Sequence, residues 1–175
     1  MMATDPSAGR ALVRPDGLLR FAGQVWRCAI GKGGIRRDKR EGDGATPVGL
    51  LPLRRVFYRA DRVAPPACRV AVEPIAATDG WCDDPAHRDY NRHITLPHDA
   101  RHEVLWRADS VYDIIGVLGW NDGLDGEPIA RGRGSAIFLH LARPDLSPTE
   151  GCIALPAREL RALLAGGLTA IEVAQ

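Results

Sequence analysis

The chain has 175 residues, with 23 Lys and Arg against 22 Asp and Glu and a formal charge of +1. That is the length of one ordinary domain able to bury its own core, and the near-neutral balance argues against nucleic acid or a membrane surface as partner, since both call for a strongly basic face. The 19 Gly and 13 Pro are scattered through the sequence rather than gathered in one tract, which suits a turn-rich, mainly β fold without a linker, so a single domain over residues 1–175 is expected.

The opening MMATDPSAGRALVRPDG lacks the apolar run of a secretory signal, and no later stretch reaches transmembrane length, so no membrane span is expected. Leu18 to Phe21 and Gln24 to Ile30 read as strands joined by an Ala22-Gly23 hairpin turn. Gly31 to Gly44 is a polar, glycine-rich loop; its GKGG piece lacks phosphate-loop spacing, and its cluster of Arg36, Arg37, Lys39 and Arg40 has no interleaved aromatic residues for stacking on bases. Val48 to Tyr58 and Arg69 to Ile75 are strand candidates, followed by a polar loop from Asp79 to Arg92. Cys82, His87, His93, His98 and His102 offer zinc-ligand chemistry, but their spacing matches no compact zinc pattern and no metal is assigned.

His98 to Trp106 has His98, His102 and Leu105 near one face of a short helix; the pair lacks the glutamate a zincin helix places after its first histidine. Val111 to Trp120 is β-prone and largely apolar, as a central strand would be. Asn121-Asp122-Gly123 is a turn, and Leu124 to Gly134 a loop. After Pro156, the stripe Leu160, Leu163 and Leu164 predicts a helix closed by Gly166-Gly167, and Leu168 to Val173 a last strand. The pattern predicts antiparallel β structure with one or two short helices.

The chemistry concentrates in SAIFLHLARPDLSPTEGCIAL, Ser135 to Leu155. Ser135 to Ala142 reads as a buried strand carrying His140; Pro144 and Pro148 break regular structure, and Gly151-Cys152 opens a second apolar run. A strand, a loop and a return strand bring Cys152 and His140 side by side. A free thiol has a pKa of roughly 8.5 and attacks carbonyls as the thiolate; a neighbouring imidazole takes the proton, stabilises the ion pair and returns the proton to a leaving amine. Gly151 leaves room for a substrate and permits unusual dihedrals, and the backbone N–H groups at Gly151-Cys152 suit an oxyanion hole. The alternative is an inert buried cysteine beside a satisfied strand histidine. Of the four cysteines, Cys28, Cys68 and Cys82 would leave at most one disulfide if Cys152 is free.

This stretch resembles the active-site segment of the YkuD-type L,D-transpeptidase family, a histidine followed by Ser/Thr-x-Gly-Cys, matched here by His140, Thr149, Gly151 and Cys152. KREGDGATPVG, Lys39 to Gly49, resembles the family's Gly-Asp-x-x-Thr-Pro-x-Gly turn; DGWCDDPAHRDYN and YDIIGVLGWND add partial agreement with a subgroup made of a nearly bare catalytic domain. The resemblance implies a β-sandwich-like catalytic domain with a helix near the cysteine. It implies a cysteine acyltransferase that acts on peptidoglycan stem peptides without a cofactor, in bacterial cell-wall biogenesis and shape. It further implies a carbapenem or other β-lactam adduct and a place in the periplasm, although no signal peptide is visible. Water in place of the acceptor amine would make the same site an L,D-carboxypeptidase or amidase, and an inert cysteine would leave a peptidoglycan-binding module.

Within that resemblance Cys152, His140 and Gly151 are the expected catalytic residues, with Thr149, Trp81, Tyr90 and Asn91 expected to line or brace the substrate cleft. Two positions depart from the family pattern. Glu150 stands where many members have a second histidine, and Ala154 where many have an arginine. Arg143 is the expected substitute for holding a peptide carboxylate, since a guanidinium engages it bidentately. Ser135 or Thr149, or a backbone carbonyl, is expected to orient His140, and Glu150 to raise the thiol pKa by like-charge repulsion.

Overall fold

The computed structural model describes residues 8–175. Its first elements follow alternating apolar positions: β1 (Arg10–Val13) and β2 (Leu18–Phe21) turn Ala11, Val13, Leu19 and Phe21 inward and leave Arg10 and Arg20 exposed. β2 runs into β3 (Gln24–Arg27) through Ala22 and Gly23, both at positive φ, the two-residue turn whose twist suits a hairpin. Phe21 lies opposite Gln24, so the expected hairpin is present. Within the glycine-rich loop, β4 (Ile35–Arg36) and β5 (Thr46–Pro47) make a short parallel pair.

The ten-residue β6 (Gly49–Tyr58) joins two sheets into one. Its later half pairs with β7 (Val72–Pro74) and β11 (Ile114–Leu118), and its first four residues with β14 (Ala170–Val173), at the chain's end. β14 in turn runs parallel to β1, and β11 carries β12 (Phe138–Leu141) and then, in parallel, β13 (Ile153–Leu155). The main sheet therefore reads β13-β12-β11-β6-β14-β1-β2-β3, with β7 beside β6. A three-stranded sheet of β10 (His102–Val104), β8 (Asp79–Cys82) and β9 (His93–Thr95) lies apart from it. One helix, α1 (Ala157–Ala165), buries Leu160, Leu163 and Leu164 against β12 and β13 and ends where Gly167, at φ +92°, gives its N–H to Leu164 O.

Mainly β structure with one helix is as expected, but the sheet is mixed rather than antiparallel, because β1–β14, β6–β7 and β12–β13 are parallel. The helix expected over His98 to Trp106 is absent: His102, Glu103 and Val104 pair with Cys82, Trp81 and Gly80. Of the supposed stripe only Leu105 is buried, and so short a helix needs a buried face to persist.

β12 divides the interior. Leu139 and Leu141 join Ile153, Leu155 and the helix leucines in one core, whereas Phe138 faces the other way with Trp81, Tyr112, Ile115 and Cys152. Alternation along a strand thus gives β12 an apolar face toward α1 and a second face, bearing His140, toward a cleft.

Candidate active site

Parallel pairing sets His140 beside Ala154 and Leu139 beside Ile153, so Cys152, two residues before Ala154, projects from the same face as His140. Both line a cleft of about 490 Å³, and the small Ala154 side chain beside His140 leaves that cleft open. Phe138 N–H donates to Cys152 Sγ at 3.4 Å, and the thiol lies 3.3 Å from Ala136 O. His140 Nδ1 lies 2.9 Å from the carbonyl of Leu141. Only an Nδ1–H can satisfy that contact, which leaves the Nε2 lone pair free to act as a base. The orienting group is therefore a backbone carbonyl; Ser135 and Thr149 bond elsewhere. The Tyr112 ring meets His140 edge-on, centroids 5.3 Å apart, and fixes the imidazole plane.

Burial dominates the electrostatics. It pushes the Cys152 thiol up to about 12, with the charge of Glu103 adding to the rise and the Phe138 N–H opposing it. Burial also pulls His140 down to about 4, against its bond to Leu141 O. At neutral pH the resting pair is a neutral thiol and a neutral imidazole rather than an ion pair. Glu150, the expected source of like-charge repulsion, instead points to Lys32 at 2.7 Å on the surface. The carboxylate that acts on the thiol is Glu103.

The turn that presents Cys152 is held from several sides. Thr149 Oγ1 donates to Cys152 O at 2.6 Å and accepts Gly151 N–H at 3.1 Å, a local side-chain turn. Thr46 Oγ1 donates to Gly151 O at 2.9 Å and accepts Gly31 N–H at 2.8 Å. Gly151 sits at φ +136°, and a Cβ there would stand 2.8 Å from Ala45 O, so glycine is required by both dihedral and space. Gly151 N–H is spent on Thr149, whereas Cys152 N–H has no acceptor among the described residues. Asp43 fixes the preceding loop: its carboxylate takes Lys39 Nζ at 2.5 Å and the N–H groups of Arg40 and Ala45 at 2.8 Å each. Burial raises its pKa, but these donors outweigh that and hold it below the usual carboxylate range. The Gly-Asp-x-x-Thr-Pro segment is thus a brace for the cysteine turn.

Of the residues singled out from sequence, Cys152, His140, Arg143 and Thr149 line one cleft. Gly151 shapes its edge through the backbone. Trp81, Tyr90 and Asn91 do not line the cleft but brace its wall from behind. Asn91 Oδ1 accepts Trp81 Nε1–H and Ala136 N–H at 3.0 Å each, and its Nδ2 reaches the carbonyls of Trp120 and Asn121. Tyr90 OH donates to Glu41 and accepts Gly134 N–H. Sequence reading gave no role to Lys39, Glu41, Glu103, Arg107 or Tyr112, all of which line the cleft. The four cysteines are free.

A mainly β fold that sets a thiol and a neutral imidazole on one face of a charged cleft has the parts of a cysteine acyl-transfer site. The chain belongs to the YkuD family: the family model described as the L,D-transpeptidase catalytic domain matches residues 4–168. Comparisons with curated proteins and with solved structures returned no match.

Proposed function

We propose that this protein is a peptidoglycan L,D-transpeptidase with Cys152 as nucleophile and His140 as base. The observation that carries the reading is the committed tautomer of His140, whose Nε2 is left free in the same cleft as Cys152. The thiol attacks the carbonyl of a donor stem peptide as His140 Nε2 takes its proton, and the oxyanion forms at Cys152 N–H. The C–N bond breaks, the terminal D-amino acid leaves with that proton, and a thioester remains. An acceptor amine attacks the thioester, gives its proton to His140, and expels the Cys152 thiolate, which takes the proton back. Proton removal is concerted with attack, because neither partner is charged at rest.

Arg143, exposed at the cleft edge and in no ion pair among the described residues, holds the substrate carboxylate. Peptidoglycan as substrate places the chain in the bacterial envelope, and β-lactams, carbapenems above all, acylate the same sulfur. No helix among the described residues is long and apolar enough to cross a membrane. Incubation of purified protein with a stem tetrapeptide, read by mass spectrometry, tests the reading. Crosslinked dimer with released D-amino acid is expected. Tripeptide without dimer would make the protein an L,D-carboxypeptidase, and no turnover with no adduct on Cys152 would leave a binding module.

A further inference from the structure

Next to the nucleophile the backbone takes an uncommon conformation. Ala136 has φ +51°, in the left-handed region that strains any residue with a Cβ. Its carbonyl meets the nucleophile there: Cys152 Sγ–H donates to Ala136 O at 3.3 Å, while Phe138 N–H donates to the sulfur at 3.4 Å. One short segment thus supplies both partners of the thiol, and no hydrogen bond joins Sγ to His140 among the described residues. What holds Ala136 in place is Asn91. Its amide is buried and fully used: Oδ1 accepts Ala136 N–H and Trp81 Nε1–H at 3.0 Å each, and Nδ2 donates to Trp120 O at 2.9 Å and Asn121 O at 2.7 Å. Two partners that only donate and two that only accept fix which way the amide points. Asn91 is itself left-handed, at φ +57°, a conformation that asparagine tolerates better than most residues. Strained backbone persists only where its surroundings over-determine it, and such positions gather around functional sites.

We propose that Asn91 is a positioning residue for Cys152, acting through the left-handed Ala136 to rest the thiol proton on a carbonyl and to set the sulfur for attack. The role in acyl transfer rests on the transpeptidase reading; the resting hydrogen bond rests on the geometry alone. A carbonyl oxygen accepts from a thiol and repels a thiolate, so the contact favours the protonated form at rest. Activation then needs only a rotation of the S–H bond, which takes the proton off Ala136 O and gives it to His140 Nε2 as the sulfur attacks. Phe138 N–H stays on the sulfur through that step. Asn91 lines neither the cleft nor the thiol, so its loss slows the chemical step and leaves substrate binding nearly unchanged.

The test reads the S–H stretch of Cys152 by infrared difference spectroscopy of the full chain against Cys152→Ala, which cancels the bands of Cys28, Cys68 and Cys82, together with steady-state kinetics on a stem tetrapeptide. The unsubstituted protein is expected to show an S–H band at the lowered frequency of a hydrogen-bonded thiol, unmoved in His140→Ala because the proton does not rest on the imidazole. Asn91→Ala should raise the band to the frequency of a free S–H. It should also lower kcat about tenfold or more with KM within about twofold, since a small misplacement of a reacting group is costly. Ala136→Val, whose β-branched side chain resists the left-handed region, should do the same and carries the test if Asn91→Ala fails to fold. Ala136→Gly, which takes that φ freely, should keep the band in place. No S–H band at Cys152, a band that stays lowered in Asn91→Ala and Ala136→Val, one that moves in His140→Ala, or a loss confined to KM would overturn the proposal. The transpeptidase reading fails separately, through the absence of turnover and of an acyl adduct on Cys152, and the infrared comparison stands without it.

Discussion

His140 and the pair His87 and His98 use their ring nitrogens in opposite senses. His140 gives its Nδ1 proton to Leu141 O and keeps Nε2 free. In His87 and His98, Nδ1 accepts a backbone N–H, from Asp89 and Ala100, at 3.1 Å each. Their protons must then sit on Nε2, which faces Asp99 in one case and Asp89 in the other, both at 3.3 Å. His87, His98 and Asp99 gather within metal-ligand distance of one another, but the lone pair that a metal would take is already occupied on both rings. A histidine stands close to other polar side chains at both places, and the tautomer decides which ring keeps a nitrogen lone pair free.

The comparison is broken most directly by removing the histidines. His140→Ala should lower the rate of acyl transfer by about 10³-fold or more, as loss of a nucleophile's base does. His87→Ala and His98→Ala should stay within about twofold and cost only the 0.5–1.5 kcal/mol of a typical hydrogen bond. Comparable losses of kcat/KM at His87 and at His140 would refute it.

Next in size is Gly151→Ala, where a Cβ would meet Ala45 O and the dihedral is unfavourable for any side chain. A destabilisation of about 1–3 kcal/mol is expected in urea unfolding, with a larger fall in activity as the Cys152 turn shifts. Thr46→Val should cost about 1–3 kcal/mol by stranding Gly151 O and Gly31 N–H, and its effect on kcat should exceed that on KM, because Thr46 touches the turn rather than the cleft.

The pH profiles sharpen the contrast further. With the thiol at about 12, iodoacetamide labelling of Cys152 should keep rising through pH 10, about tenfold per unit, with no plateau near the 8.5 of an ordinary thiol. A preformed ion pair would instead give a plateau at neutral pH. With His140 lowered to about 4, the acid limb of kcat/KM for the free enzyme should lie near 4 and not near 6.5. The same depression has a stability sign. Its contribution is present above the unfolded pKa, near 6.5, and is lost as pH falls from there to about 4, because the unfolded chain binds a proton that folded His140 refuses. Smallest of all, added zinc should shift the melting temperature by less than about one degree, since both imidazole lone pairs in the His87–His98 cluster are taken.

What was legible in the sequence was local. The Ala22-Gly23 hairpin, the leucine stripe of α1 and the strand–loop–strand that joins His140 to Cys152 each lie within one short stretch, so periodicity and turn residues announced them. The parallel pairing of β1 with β14 joins the two ends of the chain, and nothing near Arg10–Val13 signals it. Glu103 escaped notice because its importance comes from facing Cys152 and Tyr112 across the cleft, and because the stretch around it imitates a helix through two histidines four positions apart. Trp81, Tyr90 and Asn91 were drawn to the cleft by resemblance, and of the two places expected for them their hydrogen bonds give the bracing one, behind the wall rather than on it. The Thr46 and Asp43 braces were visible as a motif but not as a mechanism, because their partners are backbone groups that only the fold brings near.

Intact-protein mass spectrometry after exposure to a carbapenem tests the central claim most directly, since it asks for nucleophile, access and base in one reading. The expected result is a single adduct mapped to Cys152, absent in Cys152→Ala and formed about 100-fold or more slowly in His140→Ala. No adduct in the unsubstituted protein, or one that persists undiminished in Cys152→Ala, would contradict it.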